Sequence, residues 1–273
     1  MRIVSLVDNI SERSDIGSEH GLSFYIETTN HKILFDLGAS ALFSKNAEIL
    51  GIDLELVDTV IISHGHYDHG GGLKHFMTIN QKAKIYIKKE AFLDYYSIKE
   101  DGFEYIGLDK SSSNNPRIIF ADNDFKIDSE LQLFSGVKTL EERYSLNQQL
   151  KEKRKGEYLE DNFLHEQNLV IEENNTNVLI AGCAHNGIVN IIHSFITKTG
   201  SAPDYVFGGF HLASSDGVKH ESEEVINLLA KTLNTWDTKY FTCHCTGVKP
   251  YRMLKQILNE KINYFSAGKE INT

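Results

Sequence analysis

Five apolar runs in this chain each stop on a residue that can bind a metal: KILFD at Asp36, TVIISH at His64, VLIAGCAH at His185, YVFGGFH at His211 and KYFTCH at His244. Runs of this length read as single strands. In layered α/β proteins, ligands gather beyond the carboxyl ends of strands, where the sheet holds side chains rigidly and leaves an opening. One histidine so placed is ordinarily a satisfied structural residue. Four of them, with an aspartate, point to a shared centre.

The rest of the pattern agrees with a layered arrangement. RIVSLVD, LSFYIETT, KILFDLG and VDTVIIS read as strands, SALFSKNAEILGI has helical spacing, and KAKIYIKKEAF reads as a strand leading into a helix. From Gln167 onward, strands over NLVIEE, NVLIAGC, DYVFGGF and KYFTC alternate with helices over GIVNIIHSFITKTG, from about Glu221 to Leu233, and over GVKPYRMLKQIL. The expected class is α/β, with helices covering sheet faces. Residues 97–124 are rich in Ser, Asn, Asp and Gly and read as long loops and short strands. Residues 140–155 are polar almost all round and read as an exposed helix or a flap. A single domain over 1–273, with a flap or insertion at about 90–165, is the expected organisation.

Composition narrows the partners. The formal net charge of -10 repels a phosphate backbone, and the small basic cluster of Lys151, Lys153, Arg154 and Lys155 is too local to reverse that. Nucleic acid is therefore excluded as the expected partner, and a small-molecule substrate is favoured. Asp8, Glu12 and Asp15 break up the first apolar run, and there is no uncharged apolar stretch of about 18 residues, so neither a membrane span nor a signal segment is expected. A cytoplasmic protein is the reading, and three cysteines, Cys183, Cys243 and Cys245, are too few for a secreted disulfide framework. They are expected to be reduced thiols. The oligomeric state is not legible.

The densest signal is H-x-H-x-D-H at 64–69, followed by Gly70, Gly71 and Gly72. In an extended segment, positions two apart share a side, so His64, His66 and Asp68 are expected to converge while Tyr67 points away. His69 then needs a sharp turn, which the glycines permit. Imidazole nitrogens and a carboxylate suit zinc, iron or manganese, and this many donors exceed what one tetrahedral ion needs. Two divalent ions are expected, zinc first, with manganese or iron as alternatives. In TCHCTG, strand alternation puts Cys243 and Cys245 opposite His244, so both thiols are expected to be inert.

SHGHYDHGGGL resembles the signature of the metallo-β-lactamase superfamily, and GCAHNGIVN, GGFHL and HCTG are similar to its later motifs. Together with EHGLS, their spacing resembles the branch that contains dihydropterin-forming ribofuranosyl-aminobenzene 5'-phosphate synthases and many metal-dependent hydrolases. The resemblance implies an αββα sandwich with its site at one edge. It implies that His64, His66 and His185 hold a first metal, that Asp68, His69 and His244 hold a second, and that Asp36 supports a ligand by hydrogen bonding. It also exposes a departure: many members carry a metal-bridging aspartate where this chain has His211.

The activity implied is hydrolysis of a phosphate ester or cyclic phosphodiester, pterin- or ribofuranosyl-linked, by a metal-activated hydroxide, with a lactone or thioester as the alternative. Asp68 is expected to serve as ligand and proton acceptor, with His211 or His20 stabilising the oxyanion or donating a proton. Asp8, Asn9, Glu19 and His165, with Asp161 and Glu166, are candidates to line a substrate pocket, whereas His75, His193 and His220 read as helix-associated residues. Two competing readings remain: a mononuclear iron oxidoreductase of the same fold, and a non-catalytic metal-containing binding or sensing protein.

Overall fold

A computed structural model describes every residue except 142 and 143. Two compact units account for the chain where the sequence suggests one domain with an insertion. Unit 1 comprises 1–122, 149–167 and 266–273; unit 2 comprises 123–148 and 168–265. The stretch 90–165 is thus divided between them. The α/β class is as expected in both.

Unit 1 is built on a seven-stranded mixed sheet. Its order from edge to edge is Glu270–Asn272, Arg2–Val7, Ser23–Glu27, Lys32–Phe35, Thr59–Ile61, Lys84–Ile87 and Ile118–Phe120. The chain end completes this sheet, since Arg2 pairs with Asn272. Leu6, Leu34, Val60 and Ile85 from four of these strands pack with Phe43 and Phe76 from the helices Leu42–Ile49 and Leu73–Ile79. Pairing between Lys32–Phe35 and Thr59–Ile61 is parallel, so both strands deliver their carboxyl ends, and hence Asp36 and His64, to the same edge.

A separate four-stranded antiparallel sheet in unit 1 runs Glu157–Glu160, Leu150–Arg154, Tyr95–Lys99 and Gly102–Tyr105. This corrects the helix or flap expected over 140–155, of which residues 142 and 143 lie outside the described residues. Ser145–Gln149 is a short 3-10 turn and the rest is a hairpin. Its cause is the turn: Lys155 and Gly156 have φ of 49° and 91°, the two positive values a two-residue I′-type connection requires. The polar residues then alternate, so Glu152 is buried against the Arg154 guanidinium, 2.6 Å from Nη2, while Lys153 lies over the Tyr158 ring, 4.9 Å from its centroid.

Unit 2 carries the second seven-stranded sheet, ordered Ile262–Tyr264, Lys239–Thr242, Tyr205–Gly208, Thr176–Ile180, Gln167–Glu173, Leu131–Ser135 and Asp124–Lys126. Only Gln167 of these belongs to unit 1. The strands from Thr176 to Tyr264 pair in parallel, joined by the helices Ile188–Thr199, Glu223–Leu233 and Val248–Leu258. Ile188, Ile191, Ile192 and Phe195 recur at helical spacing and bury one face of the first helix with Leu179 and Val206. Ser222 caps the second helix by accepting from the Val225 amide at 3.2 Å. Among the described residues, no helix is long and apolar enough to cross a membrane.

Candidate metal centre

In unit 1, the run 64–69 changes conformation midway. The strand ends at Ile61, His66 is extended, and Tyr67–Gly70 winds into a single helical turn. Helix geometry, and not strand alternation, therefore presents Asp68 and His69, while Tyr67 is 41% exposed as expected. The glycines act otherwise than foreseen. Gly71 and Gly72 have ordinary helical φ of -60° and -72°. What they lack is a Cβ, which would lie 2.3 Å from the Ala39 carbonyl oxygen at Gly71 and 2.4 Å from that of Leu37 at Gly72. Their smallness lets the turn lie directly against the 37–39 backbone.

Asp36 is the hub of this half. Fully buried at a left-handed φ of 59°, its carboxylate accepts from the Ser63 amide, from Ser63 Oγ and from His69 Nδ1, each at 2.7 Å. These bonds settle the tautomers. The Ser63 hydroxyl proton goes to Asp36, so Ser63 Oγ must accept from His64 Nδ1 at 2.8 Å. His64 and His69 therefore both carry their proton on Nδ1 and keep a lone pair on Nε2. His64 Nε2 and His66 Nδ1 lie 3.0 Å apart, close to the roughly 3.3 Å that Zn–N bonds of about 2.0–2.1 Å subtend at a tetrahedral ion. His69 Nε2 and Asp68 Oδ2, 3.6 Å apart, form a similar pair. Burial, and then the neighbouring His165, holds His66 down to a pKa of about 3, against the pull of Asp68 and Asp161. Its ring is neutral at physiological pH, as a metal ligand must be.

The remaining unit 1 candidates divide. His20 Nε2 lies 3.2 Å from Asp68 Oδ2 and is partly exposed, so it stands beside that carboxylate. His165 lies inside the fold. It is buried, with Nδ1 accepting from the Gly65 amide at 2.8 Å and Nε2 donating to Asp161 Oδ2 at 2.9 Å. Its nitrogens tie the 64–69 loop at Gly65 to Asp161. Burial works to raise the Asp161 carboxyl, but the charge and hydrogen bond of His165 hold it below the ordinary range. Glu19 is also structural, since its carboxylate accepts from the Ala39 and Ser40 amides at 3.1 Å and from Ser40 Oγ at 2.6 Å. Asp8 accepts from the Ile10 amide at 3.1 Å and Asn9 from that of Gly21 at 3.3 Å, and these bonds order the same loops. Glu166 is buried too.

Unit 2 assembles its donors from separate strand ends. His185, His211 and His244 follow the parallel strands ending at Ile180, Gly208 and Thr242. The backbone there is strained: Ala184, His211 and His244 have φ of 55°, 48° and 50°, a conformation costly for residues with a Cβ and concentrated at functional sites. Asn147 donates from Nδ2 to the His185 carbonyl at 2.8 Å, which turns its Oδ1 toward His185 Nδ1 at 3.0 Å. His185 thus keeps its Nε2 lone pair, as His64 and His69 do in unit 1. The rings of His185 and His211 lie 4.3 Å apart, edge to face.

The cysteines depart from expectation. The strand ends at Thr242, and His244–Thr246 is a 3-10 turn, so alternation stops before Cys245. Its sulfur instead joins Cys183 and His211, all three donor atoms lying within 4.8 Å of one another. Burial raises the Cys245 thiol, but hydrogen bonds with Cys183 and His211 and the charges of His244 and His211 outweigh it and leave it well below its ordinary value. Among the described residues none of the three cysteines is in a disulfide. The bracing roles of Ser63, Asp161 and Asn147 escape sequence reading. Only Asp161–His165, at i and i+4, carried a local signal.

A sequence profile described as the metallo-β-lactamase superfamily matches residues 16–144. A solved metal-dependent hydrolase of the β-lactamase superfamily is 32% identical and superposes with a TM-score of 0.85 over 100% of this chain and 99% of its own. The chain belongs to the metallo-β-lactamase superfamily. It shares that superfamily's α/β fold, whose members typically bind metal ions through clusters such as these. An uncharacterized protein of Methanocaldococcus jannaschii is 30% identical over 93% of this chain and 94% of its own length. From the same organism, the 7,8-dihydropterin-6-methyl-4-(beta-D-ribofuranosyl)-aminobenzene-5'-phosphate synthase is 29% identical over 97% and 93%.

Proposed function

We propose that this metallo-β-lactamase-fold protein is a metal-dependent hydrolase of a phosphate ester or cyclic phosphodiester on a small, pterin- or ribofuranosyl-linked molecule. The single observation that carries the reading is the braced loop 64–69, where Asp36 and Ser63 hold the Nδ1 protons of His64 and His69 and leave both Nε2 atoms as donors. This is the outer-shell arrangement that metal-ligating histidines need. The ligand sets implied by the motifs, His64, His66 and His185 for one ion and Asp68, His69 and His244 for another, are retained in the proposal, with zinc as the metal. Divalent ions in such sets supply Lewis acidity and lower the pKa of water to about 7.

The residues of the chain supply the rest. Asp36 fixes the ring plane and tautomer of His69. Asp161 and His165 fix the loop at Gly65. His20 Nε2, at 3.2 Å from Asp68 Oδ2 and partly open to solvent, is placed to carry a proton between that carboxylate and water.

The test is elemental analysis of the purified protein paired with hydrolysis of bis-nitrophenyl phosphate. Near two zinc per chain, with turnover abolished by chelation and by Asp68→Ala, is the expected result; one iron and no hydrolysis overturns it. The synthase relative favours a second reading, in which a ribofuranosyl-aminobenzene phosphate compound is formed and not cleaved. Product formation from dihydropterin and phosphorylated aminobenzene substrates, without phosphodiester hydrolysis, would select it.

A further inference from the structure

We propose that Cys183, His211 and Cys245 form a sulfur-bearing site in unit 2 for one thiophilic cation of the zinc class, bound through two sulfurs and an imidazole nitrogen, with Cys183 also within 4.8 Å of the donor atoms of His185 and of His244. It goes beyond the hydrolytic reading, since none of the three belongs to the ligand sets proposed above, and it assigns His211 to this site in preference to an oxyanion role.

Geometry is the first support. The three donors come from the carboxyl ends of three neighbouring parallel strands, Thr176–Ile180, Tyr205–Gly208 and Lys239–Thr242, so the sheet itself sets their spacing. Their donor atoms all lie within 4.8 Å of one another; Zn–S bonds of about 2.3 Å and Zn–N bonds of about 2.0 Å place ligands roughly 3.5–3.8 Å apart, so only small side-chain adjustments separate this arrangement from coordination.

Local design is the second. A Cβ at Gly209 would stand 2.4 Å from Cys245 Sγ, so glycine there is what lets the sulfur approach the strand end. The His211 amide donates to Cys245 Sγ at 3.3 Å, the kind of outer bond that orients a metal-bound thiolate. His211 is the third. Its backbone is held at a left-handed φ of 48°, and both its ring nitrogens are buried with no partner of hydrogen-bond geometry among the described residues, although one lies within 4.8 Å of the Cys245 sulfur. Buried polar atoms of this kind call for a partner, and a cation between the sulfurs would supply one. Cys183 and Cys245 are only 4% and 6% exposed; two thiolates on a divalent ion make a neutral group, which burial tolerates where two bare thiolates would not.

Cobalt(II) titration of the reduced, metal-stripped full chain tests this, read by the sulfur-to-cobalt charge-transfer band and by cobalt per chain. The expected result is a saturable band in the wild type that falls to background in both Cys183→Ser and Cys245→Ser, each of which binds one equivalent less. His211→Ala should shift its midpoint at least about tenfold toward weaker binding. Histidine and carboxylate ligands give no such band, so cobalt bound without it overturns this site while leaving the hydrolytic centre standing. A band with only one equivalent bound supports this site if Cys245→Ser abolishes it. A band that persists in Cys245→Ser also overturns the proposal. The wild-type spectrum alone can overturn it, whether or not the variants fold.

Discussion

Unit 1 and unit 2 hold metal-type ligands in opposite ways. In unit 1, His64, His66, Asp68 and His69 lie within one short run, and a single buried carboxylate, Asp36, ties two of the histidines into one network. In unit 2, His185, His211 and His244 leave three different strands on left-handed or neighbouring backbone, and the supports described for them come from different residues. Asn147 serves His185, and Thr246 Oγ1 accepts from the Phe210 amide at 2.8 Å just before His211. A contiguous set can share one support and fails as a unit; a dispersed set is supported locally and fails one ligand at a time.

That contrast predicts its own largest effect at Asp36. Asp36→Ala strips the acceptor from the Ser63 amide, the Ser63 hydroxyl and His69 Nδ1 together, all buried. A loss of about 3–5 kcal/mol in urea unfolding is expected, and a loss below about 1 kcal/mol would break the idea of a shared hub.

Acid should expose the same half next. Burial, and then His165, holds His66 at about 3, below the 6.5 of an unperturbed imidazole. The unfolded chain therefore binds a proton that the folded chain refuses, and stability falls as pH drops from about 6.5 toward 3. Thermal midpoints of the metal-free protein across that window should decline, and His66→Gln should flatten the decline. An unchanged slope in the variant would move the acid sensitivity elsewhere.

The smallest effect belongs to unit 2. Asn147→Ala frees His185 Nδ1 but leaves the His211 and His244 strand ends in place, so metal affinity or turnover should fall about 10–100-fold while the urea midpoint moves less than in Asp36→Ala. Equal destabilisation by the two substitutions would erase the distinction between the units.

Legibility followed the same divide. The run 64–69 was readable because its donors are adjacent, although the reason for Gly71 and Gly72 was not: their close approach to the Leu37 and Ala39 carbonyls depends on a segment far off in sequence. Asp36 was readable because it ends an apolar run. The bond from the Gly65 amide to His165 was not readable because the two residues become neighbours only in the fold. Cys245 misled because strand alternation was carried past the point where the strand ends.

The sequence by itself determined the alternation of strands and helices, the arrival of Asp36, His64, His185, His211 and His244 at strand ends, and the membership of the metallo-β-lactamase superfamily. These rest on local periodicity and on motifs, which short stretches of chain carry whole. Only the tertiary structure decided which ring nitrogen carries the proton in His64, His69 and His185, which polar residues brace and which stay near the site, and that two cysteines and a histidine meet in unit 2. Hydrogen-bond partners and thiol neighbours are set by chain segments far apart in sequence, and no window of residues contains both sides of such a contact.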